Sequence, residues 1–158
     1  VTTGLPLGEL LAIHWDDIDF ENNQIRISKN VFSKSRLWQK PPSKIRCINI
    51  PEILAKELKN LQKISPMSKN NAVFVNGAGN YHNPHNLRAR ELNRILKHSK
   101  FSKNASFKII QDSYAVLMIK QNVPLTFIQN QLGHKSVQFT ADRYQKFINA
   151  PVNFDFSF

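Results

Sequence analysis

The sequence predicts an α+β domain, mostly helical, with a small three-stranded antiparallel sheet at one edge. Three observations carry this. Segments 24–29 and 45–50 alternate apolar and polar residues, the period of a strand with one buried face. A shorter apolar run, Val73-Phe-Val75, is closed by Asn76-Gly77, a turn signal. Most of the remaining chain spaces its apolar residues three and four apart behind helix-capping residues.

The elements follow in order. Leu7, Leu10, Leu11 and Trp15 have helical spacing, and the acids of Trp15-Asp-Asp-Ile-Asp-Phe20 end that segment. Strands at 24–29 and 45–50 form an antiparallel hairpin, joined by a long basic loop, Ser33 to Lys44, with Pro41 and Pro42 near its end. Pro51 opens a helix whose apolar face is Ile53, Leu54, Leu58 and Leu61. Asn83-Pro84 caps and starts another, with Leu87, Leu92, Ile95 and Leu96 inward and Arg88, Arg90, Arg94 and Lys97 outward. Ser106 caps a helix running to about Gln121, Pro124 starts one that Gly133 ends, and Ser136 caps the last. In the capped helix, Phe107, Ile110, Tyr114 and Leu117 form an apolar stripe, while Lys108, Gln111, Asp112 and Ala115 share another face. That face suits the wall of a site and suits a solvated surface equally well.

Charge gives the first functional signal. The 158 residues hold 22 Lys and Arg against 11 Asp and Glu, a net charge of +11, which calls for a polyanionic partner. Basic residues are spread along the chain, as on a folded basic surface. Apolar residues make up 41 %, enough for one hydrophobic core, and the longest apolar run, Tyr114 to Ile119, is far too short to span a bilayer. The lone cysteine, Cys47, excludes an internal disulfide and offers no metal-site spacing, so a reducing cytoplasm is expected, with no cofactor and no metal. Without a signal peptide or an initiator methionine, the sequence reads as a fragment or one domain of a longer protein.

The stretch QLGHKSVQFTADRYQKF, 131–147, sets His134 ten residues before Tyr144. Alone, the pair fits a nucleophile with a proton-transfer partner, or two side chains that never meet. Other segments add to it. Thr3-Gly-Leu-Pro-Leu-Gly-Glu-Leu-Leu-Ala-Ile-His-Trp-Asp-Asp-Ile-Asp19 precedes it. So does Lys40, followed by Arg46-Cys-Ile-Asn-Ile-Pro51. In this order and spacing, and with Leu132-Gly-His134 through Thr140-Ala-Asp-Arg-Tyr144, the chain resembles the catalytic domain of the tyrosine recombinases, the phage integrase family, up to about Ile148.

The resemblance implies a catalytic domain over residues 1–149, lacking its extreme N-terminal part and the family's N-terminal DNA clamp, and a tail at 150–158. It implies double-stranded DNA as partner and homo-oligomers on DNA. In the tail, Phe154, Phe156 and Phe158 alternate with polar residues as an added strand would, within the subunit or packing on a neighbouring one. It further implies that Tyr144 attacks a phosphodiester and stays on the 3′ phosphate, that His134 and Lys108 orient the phosphate and handle protons, and that Lys40 protonates the leaving 5′ oxygen. Two arginines should hold the phosphate oxygens, since planar guanidinium forks match the charge of that transition state. Here Pro6 and Gln111 stand in those positions, and Asp112 follows where histidine is common; Arg143 and Arg46 are possible substitutes, although both match ordinary residues of the family. The resulting expectation is DNA binding with strand cleavage lost or impaired. The alternative is a non-catalytic DNA-binding or assembly module on the same scaffold. A weaker third reading, RNA binding, has the charge but no motif.

Overall fold

A computed structural model describes residues 2–34, 36–40, 45–65, 68, 70–87, 92, 94 and 106–148, with the backbone alone at 32–34 and 36–40. The tail at 150–158 and the outward residues Arg88, Arg90 and Lys97 lie outside the described residues.

Helix α1 (Leu7–Leu10) begins at Pro6, whose carbonyl accepts from the amides of Glu9 and Leu10, both at 3.0 Å. The expected helix through Trp15 stops early. His14 is extended and bridges Ala72, and the Asp17 carboxylate accepts the His14 amide, which closes a 3-10 turn at Trp15–Asp17. The three-stranded antiparallel sheet runs β1 (Ile18–Asp19), β2 (Gln24–Ile27) and β5 (Arg46–Asn49), in the order β1-β2-β5, with Ile25 opposite Ile18 and Ile48. The third strand is therefore Ile18–Asp19, not the run 73–75. That run makes isolated bridges only, between Ala72 and His14 and between Val75 and Tyr81, because Asn71 at φ 57° and the turn after Val75 leave it no partner of useful length.

The basic segment between β2 and β5 is not a plain loop. It folds as a second antiparallel pair, β3 (Asn30–Lys34) with β4 (Arg36–Lys40), in which Asn30 faces Lys40 and Phe32 faces Trp38. Val31, Phe32, Leu37 and Trp38 are good strand formers, and the run of basic residues concealed them.

Helix α2 (Glu52–Ile64) follows Pro51 and covers the three-stranded sheet. Ala55 and Leu58 are buried there with Ile25, Ile27, Ile48 and Val73. Ile53, expected inward, is 70 % exposed. Asn83 caps the short α3 (Pro84–Asn86) by accepting from the His85 amide at 2.8 Å, and Leu92 beyond it is buried.

Three helices form the C-terminal half: α4 (Phe107–Lys120), α5 (Leu125–Leu132) and α6 (Val137–Ile148). Ser106 caps α4 by accepting from Ile109 at 3.2 Å, and Ser136 caps α6 by accepting from Phe139 at 3.1 Å. Gly133 ends α5 in the left-handed region, at φ 70°. The buried side of α4 is rotated from the expected stripe. Tyr114 and Ala115 are buried with Ile128, Leu132 and Tyr144, whereas Leu117 is 46 % exposed. The packing of α5 and α6 against α4 decides which face is covered, and the small Ala115 lets them approach closely.

Candidate DNA-phosphate site

Two connected networks build the site. The first is structural. Arg46 on β5 is buried and forms a bidentate pair with Glu9 of α1, Nη2 to Oε2 at 2.6 Å and Nη1 to Oε1 at 3.1 Å. Nη2 also donates to the Gln131 carbonyl at 3.3 Å. Gln131 is buried as well, and its amide group pairs with both backbone groups of Asn49, at 3.0 and 3.1 Å, and donates to the Tyr114 hydroxyl. The end of α5 is thereby fixed to the sheet and to α4. Gly133 lies directly over the Arg46 guanidinium, so that any Cβ there would collide with it. Gly4, at φ 64°, packs the first segment against the rings and methyls of Tyr114 and Leu132, which sets Pro6 two residues further on.

The second network surrounds the Tyr144 hydroxyl. His134 follows Gly133, and its ring stacks on Tyr144 with centroids 6.1 Å apart. Its Nδ1 lies 2.9 Å from the Thr140 hydroxyl, which itself donates to the Ser136 carbonyl. Burial lowers the His134 pKa, the Arg143 and Arg46 charges lower it further, and Asp112 opposes them. Tyr144 is itself buried, 2 % exposed. Its hydroxyl donates to Asp112 Oδ1 at 2.8 Å and accepts from Arg143 Nε at 3.3 Å. Burial pushes this phenol up to about 12, and the Asp112 bond adds to the rise against the opposing effect of Arg143. Asp112 also binds Arg143 through Nε and Nη2, at 2.9 to 3.2 Å.

Tyr144, Asp112 and Arg143 form part of the wall of a cavity of about 710 Å³ between α4 and α6. Lys108, Lys120 and Lys146 also line it. Of the sequence-derived site residues, Tyr144 and Lys108 thus meet at one cavity, and His134 stands behind the tyrosine ring. Gln111 is half-buried on α4 beside Asp112 and does not line the cavity. Pro6 starts α1 next to the Glu9–Arg46 pair. Lys40 ends β4, where its backbone pairs with Asn30. The sequence offered Arg143 as a possible substitute arginine but gave no sign of its pairing with Asp112. Their separation of 31 residues leaves no local pattern, although their positions beside Gln111 and Tyr144 were the available signal.

A basic cavity with a tyrosine in its wall, on this arrangement of three helices and a small sheet, defines a recombinase-like domain. The chain belongs to the phage integrase family, whose model matches residues 1–148. It is 28 % identical over 167 residues to a tyrosine recombinase XerC-like protein of Caldanaerobacter subterraneus subsp. tengcongensis, covering 90 % of this chain and 42 % of that one. The fold is that of the Tn1549 transposon integrase solved in complex with circular intermediate DNA (TM-score 0.79, 18 % identity, 89 % of this chain and 50 % of that one). XerA recombinase is also similar (TM-score 0.72, 20 % identity, 96 % and 55 %). The chain spans about half the length of these relatives or less. Among the described residues no helix is long and apolar enough to cross a membrane.

Proposed function

We propose that this is a DNA-binding domain of a site-specific tyrosine recombinase, cytoplasmic and working as a homo-oligomer on DNA, in which strand cleavage is lost or strongly impaired. The observation that carries it is Tyr144 in the wall of a cavity also lined by Lys108, Lys120, Arg143 and Lys146, its hydroxyl bonded to Asp112 and Arg143 of the same wall, in a chain of net charge +11. In the reaction the family suggests, Tyr144 Oη bonds to phosphorus and the bond to the 5′ oxygen breaks. The phenol proton passes to a base, and the 5′ oxygen takes up a proton, a role that falls to Lys40 by resemblance.

Two features argue against efficient turnover. A phenol of pKa about 12 is ionised in only about one molecule in 10⁵ at pH 7. Pro6 and Gln111 supply no charge to the phosphate, and loss of one preorganised donor costs about 10²- to 10³-fold in rate. Two losses on one phosphate need not add. The same substitutions favour the second reading, a DNA-binding or assembly module without chemistry.

The test is a nicked suicide duplex that traps a covalent Tyr144 adduct. The native chain should trap little, and Pro6→Arg with Gln111→Arg should trap more. Duplex affinity measured alongside should fall steeply between about 50 and 200 mM salt, as lysine and arginine displace condensed counterions. Affinity that stays flat over that range overturns the DNA reading. Rapid adduct formation by the native chain overturns the claim of impairment.

A further inference from the structure

We propose that Arg143 is the phosphate-binding arginine of this site, supplying the guanidinium that positions 6 and 111 lack, and that Asp112 is the residue that orients it. This rests on the DNA reading above.

Four cations line the cavity, and Arg143 alone among those described is a guanidinium. It is also the one whose nitrogen stands within hydrogen-bond distance of the Tyr144 hydroxyl, at 3.3 Å. Any phosphate attacked by that oxygen must come within reach of this side chain. Among the described residues, the other arginine near the site cannot serve. Arg46 has 2 % of its side chain exposed, its terminal nitrogens are held by Glu9 and the Gln131 carbonyl, and Gly133 covers it.

The geometry of the Arg143 fork gives the argument its direction. A guanidinium has two edges that can each engage an oxyanion. Asp112 engages the edge formed by Nε and Nη2, with contacts of 3.2, 2.9 and 3.2 Å. Nη1 has no hydrogen-bond partner among the described residues, so the edge formed by Nη1 and Nη2 remains for a second anion. The pair is open to solvent, with side chains 28 % and 33 % exposed, so a phosphate reaches it without unfolding the helices. Asp112 costs the site some positive charge, and Lys108, Lys120 and Lys146 around the same cavity offset that cost. In exchange, a long side chain is held in one direction before ligand arrives, which reduces the ordering needed on binding.

The experiment follows the arginine side-chain Nε–H signals by NMR in ¹⁵N-labelled protein, first with inorganic phosphate and then with a short duplex. The Arg143 signal should shift and saturate with both, while that of buried Arg46 stays in place. Asp112→Asn should move the ligand-free Arg143 signal toward that of exposed Arg26, and Asp142→Asn should leave it unchanged. Arg143→Lys should weaken duplex binding about tenfold and keep the salt dependence. Arg143→Gln should weaken it and also flatten the slope of log K against log salt by about 0.9, one phosphate contact. An Arg143 signal that stays still while duplex binds overturns this assignment and leaves the DNA reading intact. Phosphate that shifts Arg143 in a protein that binds no duplex supports the anion site and overturns the DNA reading. If neither ligand binds, both fall.

Discussion

Gly133→Ala should destabilise the domain, chiefly through Arg46. Gly133 has φ 70° and ψ 28°, and a Cβ built there stands 2.6 Å from Cζ and Nη1 of Arg46 and 2.7 Å from Nη2. Two costs follow. Alanine in the left-handed region costs roughly 1–2 kcal/mol relative to glycine. The guanidinium must also leave its position on Glu9, and a buried charge that loses its partner costs about 3–5 kcal/mol. If the pair is stretched rather than broken, the total is about 3 kcal/mol, and if it breaks, about 4–7 kcal/mol. Either is a large share of the 5–15 kcal/mol typical of a domain. Urea unfolding followed by circular dichroism measures it, in the native background and in Glu9→Leu/Arg46→Met, where both partners are replaced by apolar groups. There, Gly133→Ala should cost only the backbone strain, about 1–2 kcal/mol. Equal costs in both backgrounds, within about 0.5 kcal/mol, would refute the coupling between glycine and guanidinium.

Two further outcomes concern the second network. Asp112→Asn should lower the Tyr144 pKa from about 12 toward 10, since its hydrogen bond and charge both favour the neutral phenol and the remaining Arg143 favours the anion. Ultraviolet titration near 295 nm, with Tyr144→Phe subtracted, reads this, and a rise would contradict the assigned bond. Acid should weaken the fold through His134 and His14, both of which have pKa values lowered by burial and by neighbouring cations. The unfolded chain then binds more protons, so their contribution is complete above the ordinary histidine pKa of 6.5 and is lost as pH falls through the lower folded values. His134→Gln should reduce the drop in urea midpoint between about pH 7.5 and 5, and an unchanged drop would assign it elsewhere.

Local signals in the sequence located the helices well. Asn83, Ser106 and Ser136 accept the amide bonds expected of capping residues, and Gly133 has the positive φ expected of a helix-ending glycine. Each of these effects is decided within four residues. What was misread depends on which other segment packs or pairs alongside. Val73-Phe-Val75 has strand composition but no strand beside it, whereas Ile18–Asp19 has little composition to notice and pairs with β2 across a tight turn. Leu117 and Ala115 exchange their expected environments because α5 and α6 cover the other side of α4. The site divides the same way. Tyr144, His134 and Lys108 were visible through a motif. The Glu9–Arg46 pair and the Asp112–Arg143–Tyr144 network join residues 37, 31 and 32 apart, and no period of 2 or 3.6 reports such pairings.

The two networks also explain how the fold persists with proline at position 6 and glutamine at position 111. Glu9, Arg46 and Gln131 are buried and mutually bonded, so losing any one leaves polar groups unsatisfied in the core. Folding alone is enough to require them, whether or not DNA is cut. Positions 6 and 111 carry no such linkage. Gln111 is half-buried and makes no side-chain hydrogen bond among the described residues. Pro6 contributes its carbonyl to α1, which any residue supplies, and its φ of −58° and ψ of 141° suit an arginine equally. Replacing it forfeits only the restricted unfolded state of proline, about 0.4–1 kcal/mol. The double change Pro6→Arg and Gln111→Arg should therefore leave a folded domain about 1 kcal/mol less stable at most. Thermal melting checks that directly. If the double variant melts normally and traps no more adduct than the native chain, positions 6 and 111 are not what limits cleavage, and the proposed reason for impairment falls.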